Sequence, residues 1–296
     1  MPHISITAEP ITTILGFTIT NSILTTWLVM LLLILSSFIL TRSLDKIPGN
    51  VQSIGELIID SLYGLFKSIT GEENVNKFFP LLATLFIFII AANWIGLVPG
   101  VGTIGLKETH KEADKIEAEA GPLVNTGELI DEHSQPVTHY EEVGVAEEIT
   151  VVEEVETAGG TKEKLTPLFR GPTADLNTTL ALALIAVVAV QYYGIASLGS
   201  KMYLSKFFNF TNPIYFYVGI LELISETSRV ISFAFRLFGN IFAGEVLIAV
   251  IAFLIPLIVP LPFMGLEVFV GFIQALVFAM LTAVFLSVAT TAHTEH

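Results

Sequence analysis

Cysteine is absent from the sequence, which excludes disulfide frameworks, thiolate nucleophiles and cysteine-ligated metals. Charge is scarce. Asp, Glu, Lys and Arg make up 14% of the 296 residues, against about 25% in a typical soluble domain. With 53% hydrophobic residues and a mean hydropathy of +0.73, this composition points to an integral membrane protein and away from an ordinary globular enzyme. No Lys or Arg precedes Arg42. A secretory signal needs a basic start and a transit peptide needs arginines, so the first apolar stretch is expected to stay as a membrane anchor. No G-x-x-x-x-G-K-[ST] loop occurs, leaving no recognisable nucleoside triphosphate site. Internal repeats are also missing, and with them the paired interrupted spans that mark many secondary transporters.

Acidity is plentiful but confined. Of the formal charge of −14, residues 107–164 account for −11, with 16 Asp and Glu against 5 Lys. The remainder of the chain carries only −3. Low hydrophobicity with high net charge reads as a solvated acidic insert. It divides the chain into membrane segments at 1–106 and 166–296, with the insert at 107–165. Lys107–Ala120 is compatible with a helix, and Glu147–Val155 alternates weakly. His110, His133 and His139 lie among carboxylates, a pattern that a metal could use and that a solvated charge run also produces. Gly100, Gly102 and Gly105 match G-x-G-x-x-G, but a dinucleotide site needs that loop between a strand and a helix. Here it leaves an apolar stretch and enters the acidic insert, so it reads as an exit turn. All six histidines fall outside the apolar stretches, which argues against haem or zinc within the membrane.

Gaps in charge locate the spans. No charged residue lies between Glu9 and Arg42, Lys77 and Lys107, or Asp175 and Lys201. Each gap exceeds the roughly 20 apolar residues that cross a bilayer core, predicting spans near 21–40, 78–98 and 177–198. The last third is interrupted by Glu222, Glu226, Arg229, Arg236, Glu245 and Glu267. It reads as helices over 213–255 and 264–291, hinged at Pro256, Pro260 and Pro262. Residues 50–70 differ: Val51, Ile54, Ile58, Leu62, Leu65 and Ile69 share one face, while Gln52, Glu56, Asp60 and Lys67 take others. A packed soluble helix shows the same pattern. With spans on both sides, an interfacial amphipathic helix is expected. The fold class is therefore all-α: five transmembrane helices, one interfacial helix and an acidic extramembrane insert. Basic residues follow the first span and none precede it, which puts the N-terminus and the insert outside and the C-terminus in the cytoplasm, or in the matrix or stroma of an organelle.

The fifth span carries the chemistry. Glu222, Arg229 and Arg236 are spaced by seven, so they share one face with about 20° of drift per heptad. Arg236 is set among Phe233, Ala234, Phe235, Leu237 and Phe238. An arginine at the bilayer centre costs on the order of 2.5–3.5 kcal/mol on insertion scales, so it needs a reason. One reason is a buried ion pair that locks packing; the other is an ion pathway. Glu245, nine residues beyond, falls on the opposite face at about 100° per residue and cannot be a simple intrahelical partner. Along the axis Glu222 lies roughly 21 Å before Arg236 and Glu245 roughly 13 Å after it. Gly239 and Ala243 form a small-xxx-small step open to close helix approach, by this chain's last helix or by another subunit. In the last helix, Glu267 is ionisable and Gln274 is a neutral polar group in an apolar run.

The run Phe235-Arg236-Leu237-Phe238-Gly239-Asn240-Ile241-Phe242-Ala243-Gly244-Glu245 resembles the signature of the subunit a family of F-type ATP synthases. Pro172-Thr173-Ala174-Asp175-Leu176-Asn177-Thr178-Thr179-Leu180-Ala181-Leu182-Ala183 resembles that family's second signature, and Phe272-Ile273-Gln274-Ala275 its final helix. The likeness covers roughly 20–106 and 166–292. The insert departs from the family's compact pattern, and Glu267 stands where some members carry histidine. The resemblance implies a non-catalytic stator subunit of a rotary motor, most simply in a bacterial plasma membrane. It implies a rotating proteolipid ring and peripheral-stalk b subunits as partners, H⁺ or Na⁺ as the ion, and no cofactor, metal or nucleic acid. It also implies that the last two helices form a tilted hairpin against the ring. Arg236 is then the essential cation. Glu245, Glu267, Asn240 and Gln274 line an outer half-channel, and Glu222 marks an inner one. Asp175, Asn177, Ser232 and Arg229 are supporting candidates, and Gly239 and Ala243 meet the ring. An ion-coupled secondary transporter is the alternative.

Overall fold

In the computed structural model the described residues are 8–14, 16–42, 49–98, 100–101, 105–109, 163–205, 207, 213–255 and 258–291. Strands β1 (Pro10–Ile14) and β2 (Phe17–Thr20) form an antiparallel hairpin through Gly16, whose φ of +85° suits glycine. Helix α1 (Asn21–Arg42) follows directly. Its Leu31, Ile34, Phe38 and Ile39 are exposed, as befits a helix that is apolar all round and surrounded by lipid. Helix α2 (Asn50–Thr70) ends at Gly71, φ +78°, and α3 (Glu72–Ile95) begins at once with Glu72 and Glu73 in its first turn, where acidic side chains complement the helix dipole.

Strands β3 (Gly105–Thr109) and β4 (Glu163–Pro167) pair antiparallel at the two ends of the acidic insert. A short 3-10 turn, Pro172–Ala174, leads into α4 (Leu176–Leu198). Asp175 caps α4: its Oδ1 accepts from the Asn177 N–H at 3.2 Å, satisfying one orphan donor of the first turn. The short α5 (Ser200–Ser205) precedes the two longest helices, α6 (Pro213–Leu254) and α7 (Pro260–Thr290). Five of these helices (α1, α3, α4, α6 and α7) are long and apolar enough to cross a membrane.

One core joins the bundle. Phe66 of α2 and Phe78, Leu82 and Ile89 of α3 pack with Phe233 and Leu237 of α6 and Phe278 and Leu286 of α7. Ala183 and Ala186 of α4 and Ala275, Ala279 and Ala283 of α7 are fully buried. Such small residues let helices approach closely where lipid offers no hydrophobic drive.

Several expectations need correction. Charge gaps mark only the apolar part of a helix, so α3 starts at Glu72 rather than at the expected 78, its charged first turn included. Pro260 and Pro262 do not form a hinge outside the last helix. They lie in the first turn of α7, where a missing N–H costs nothing. Pro256 lies outside the described residues. Lys107–Thr109 belong to β3, because pairing with the returning strand outweighs a weak helical propensity. The rest of Lys107–Ala120, Glu147–Val155 and all six histidines lie outside the described residues. Gly100 sits in a turn at φ +110° between α3 and β3, a helix-to-strand order opposite to that of a dinucleotide loop.

Candidate functional site

The site is built on the α6–α7 hairpin. Helix α7 buries one face that includes Glu267, Gly271, Gln274, Ala275, Phe278 and Ala279. Glu267 is only 8% exposed. Its carboxylate fills the notch left by Gly244 on α6, where any added Cβ would collide with it. Next to Gly244 in sequence, Glu245 lies within electrostatic reach of Glu267. About 10 Å along α7, Gln274 Oε1 accepts from Asn240 Nδ2 at 2.6 Å, tying the two helices together. Among the described residues, Glu267 Oε1 and Gln274 Nε2 have no hydrogen-bond partner. Buried polar atoms left in this way are costly unless water or an ion visits them. Helix α3 braces the same stretch: Asn93 Nδ2 donates to Gly271 O at 2.9 Å and Trp94 Nε1 to Val268 O at 3.1 Å.

Arg236 points elsewhere. It lies on an exposed stripe of α6 with Ser232, Gly239, Asn240 and Ala243, and its Nη2 donates to Ser232 Oγ at 3.5 Å. Phe233, Ala234 and Leu237 beside it are buried and do the packing. Among the described residues nothing stands within 4 Å of where a Gly239 Cβ would be, so α7 does not fill the small-xxx-small step. The result is a cation on an open face with a shallow notch one turn away.

Glu245 pairs with a residue from another part of the chain. Arg170 Nη2 lies 3.7 Å from its Oε2, on the loop just before the 3-10 turn. Asp175, a supporting candidate, accepts from Ser22 Oγ at 2.8 Å as well as capping α4. Asn177 is exposed in the first turn of α4.

At the other end of α6, Arg229 Nη1 donates to Glu226 Oε1 at 2.6 Å, and its guanidinium lies 4.5 Å from the Phe285 ring centre. Tyr203 of α5 donates to Gln191 Oε1 at 2.6 Å. Burial holds its phenol above the ordinary range, with Glu226 and Glu222 adding to the effect and Arg229 opposing it. Glu222 is thus one of a polar group in the N-terminal half of α6, one helical turn before Glu226. No cluster of three or more His, Asp or Glu able to hold a metal occurs among the described residues.

Residues 23–287 match a family model described as ATP synthase A chain. The chain belongs to the ATP synthase A chain family. Among its relatives, ATP synthase subunit a of Gloeobacter violaceus is 33% identical over 276 residues, covering 93% of this chain and 86% of that protein. ATP synthase subunit a of Moorella thermoacetica is 28% identical over 267 residues, with 90% and 89% covered.

The structure brings together Glu245, Glu267, Asn240 and Gln274 on facing helices, and it sets Arg236 on the open face and Glu222 toward the far end. Sequence reasoning overlooks Arg170, Gly244, Asn93 and Glu226. By sequence Arg170 is only a loop base. The available signal is that Glu245, turned away from Arg236, needs a cation from elsewhere. Gly244 gives no signal, because its role is to make room for a side chain of the following helix.

Proposed function

We infer that this chain is the stationary membrane subunit of an ATP synthase, carrying protons or sodium ions to and from a rotating ring of proteolipid subunits. The observation that carries this reading to individual residues is the exposure of Arg236 beside the unobstructed Gly239 notch, with Glu267 buried against Gly244 farther along α6. An arginine in an apolar helix that meets no buried acid among the described residues is suited to a partner's carboxylate. In this reading Glu245, Glu267, Asn240 and Gln274 form the outer half-channel, Glu222 opens the inner one, and Gly239 and Ala243 meet the ring. Helix α6, with 42 residues, is about 63 Å long, twice the hydrocarbon thickness, so it crosses at a steep tilt. Helix α2 lies at the membrane surface, its exposed Val51, Ile54, Leu57 and Ile58 turned to lipid or to the peripheral-stalk b subunits. ATP chemistry belongs to other subunits.

The membrane is the bacterial plasma membrane, with the N-terminus and acidic insert outside and the C-terminus in the cytoplasm. Two tests follow. Affinity purification should recover the chain with a proteolipid ring; recovery of an autonomous substrate transporter in its place would refute the assignment. A cysteine at Glu132 should react with an impermeant thiol reagent only from outside, and one at Ser205 only from the cytoplasm. Because the sequence has no cysteine of its own, each label reports one site. Reversal of both labels would overturn the orientation and exchange the two half-channels.

A further inference from the structure

Arg170 is a cation that the proposed ion path leaves without a task. It is 7% exposed, and burying a guanidinium is unfavourable unless an acid answers it. The loop that carries it is tied to α1 and to the end of α3. Its backbone N–H donates to Thr25 Oγ1 of α1 at 3.2 Å, and Asn21 Nδ2 donates to Pro167 O at 3.2 Å. Ser22 holds Asp175 on the other side. The backbone of Gly171 also approaches that of Gly96 so closely that a Cβ at Gly96 would lie 3.4 Å from Gly171 Cα. These ties hold the loop through its backbone and through other side chains, so locking the loop does not require a cation at position 170. The guanidinium is aimed at Glu245 from a rigid base.

Arg170 from this loop and Glu267 from α7 both face Glu245. Two neighbouring carboxylates repel each other, and a fixed cation on one side offsets that repulsion. Arg236 cannot serve, since it lies on the opposite side of α6. We propose that Arg170 is a positioning residue of the outer half-channel, holding the Glu245 carboxylate in place beside Glu267. This rests on the reading that Glu245 lies on the ion path.

The test uses the complete ATP synthase in membrane vesicles, with complex content and ion-driven ATP synthesis measured for Arg170→Gln, Arg170→Lys and Glu245→Gln. Arg170→Gln should assemble and lose about tenfold in synthesis rate, while Arg170→Lys, which keeps the charge, should recover most of it. A normal rate in assembled Arg170→Gln, or equal loss in Arg170→Lys, would overturn the proposal. If Arg170→Gln fails to assemble, assembly of the double variant Arg170→Gln/Glu245→Gln supports the pairing, because the orphaned charge is gone. Failure of that double variant to assemble overturns it in favour of a purely structural role. A full rate in Glu245→Gln would instead sink the outer half-channel reading itself, whereas impaired Glu245→Gln beside normal Arg170→Gln sinks only this proposal.

Discussion

Arg236→Ala is expected to abolish ion-driven ATP synthesis while leaving the complex assembled. Assembly should survive because the Arg236 side chain is exposed and its buried neighbours Phe233, Ala234 and Leu237 carry the packing of this part of α6. Coupling should fail for electrostatic reasons. A ring carboxylate crosses lipid only when neutral, since a bare charge there is prohibitively unfavourable. At the stator it must give up its ion to one half-channel and reload from the other. A fixed cation at the crossing favours the ionised carboxylate and repels protons, which keeps the half-channels from leaking into each other. Guanidinium stays protonated and offers several donors. Lysine can lose its proton in so dry a site, so Arg236→Lys should fail as well. Passive ion leak through Arg236→Ala is the accompanying expectation, read as flux through vesicles stripped of the catalytic head. The packing alternative predicts the reverse: poor assembly, with near-normal coupling in whatever complex does form.

Glu245→Leu should cut ion conduction about 100-fold, the lower end of what a positioned proton-transfer group supplies. Glu267→Leu should cost less, about tenfold. The two carboxylates are neighbours, with Glu245 half-exposed and Glu267 buried in the Gly244 notch. On the proposed path Glu245 would then be the one that meets water, and Glu267 the one that passes the ion on. Asn240 and Gln274, bridged at 2.6 Å, continue that line toward the open face of α6. When Glu267 is lost, the Gln274 Nε2 donor, which has no hydrogen-bond partner among the described residues, is placed to bind a water that bridges part of the gap, which is why the milder effect is assigned there. Ion flux through the isolated membrane sector checks both variants. Full flux in each would remove both carboxylates from the path.

Much of this is legible in the sequence because lipid simplifies the code. Uncharged runs longer than the roughly 20 residues that cross a bilayer core have few fates other than spans. Helices α1, α4 and α6 accordingly begin and end close to their expected limits. The facing of Arg236 away from Glu245 follows from the helical repeat alone. Tertiary ties are not legible. Arg170 meets Glu245, and Asn93 meets Gly271, across long stretches of intervening chain; no periodicity within one helix encodes such pairings. The hairpin of β1 and β2 escapes a reading of the segment before α1 by charge alone, although Gly16 among Thr and Ile carries a turn signal. Glu226 looks like an interruption of an apolar run, when it is the partner of Arg229 one turn on.

The central claim is that two water-filled paths reach α6 from opposite sides and do not join at Arg236. Single cysteines at Asn240 and at Glu222, in the assembled complex and challenged with a small impermeant thiol reagent from one side at a time, test it most directly. Asn240→Cys should be modified from outside only and Glu222→Cys from inside only. Labelling of both from the same side would mean one continuous pore, and would contradict it.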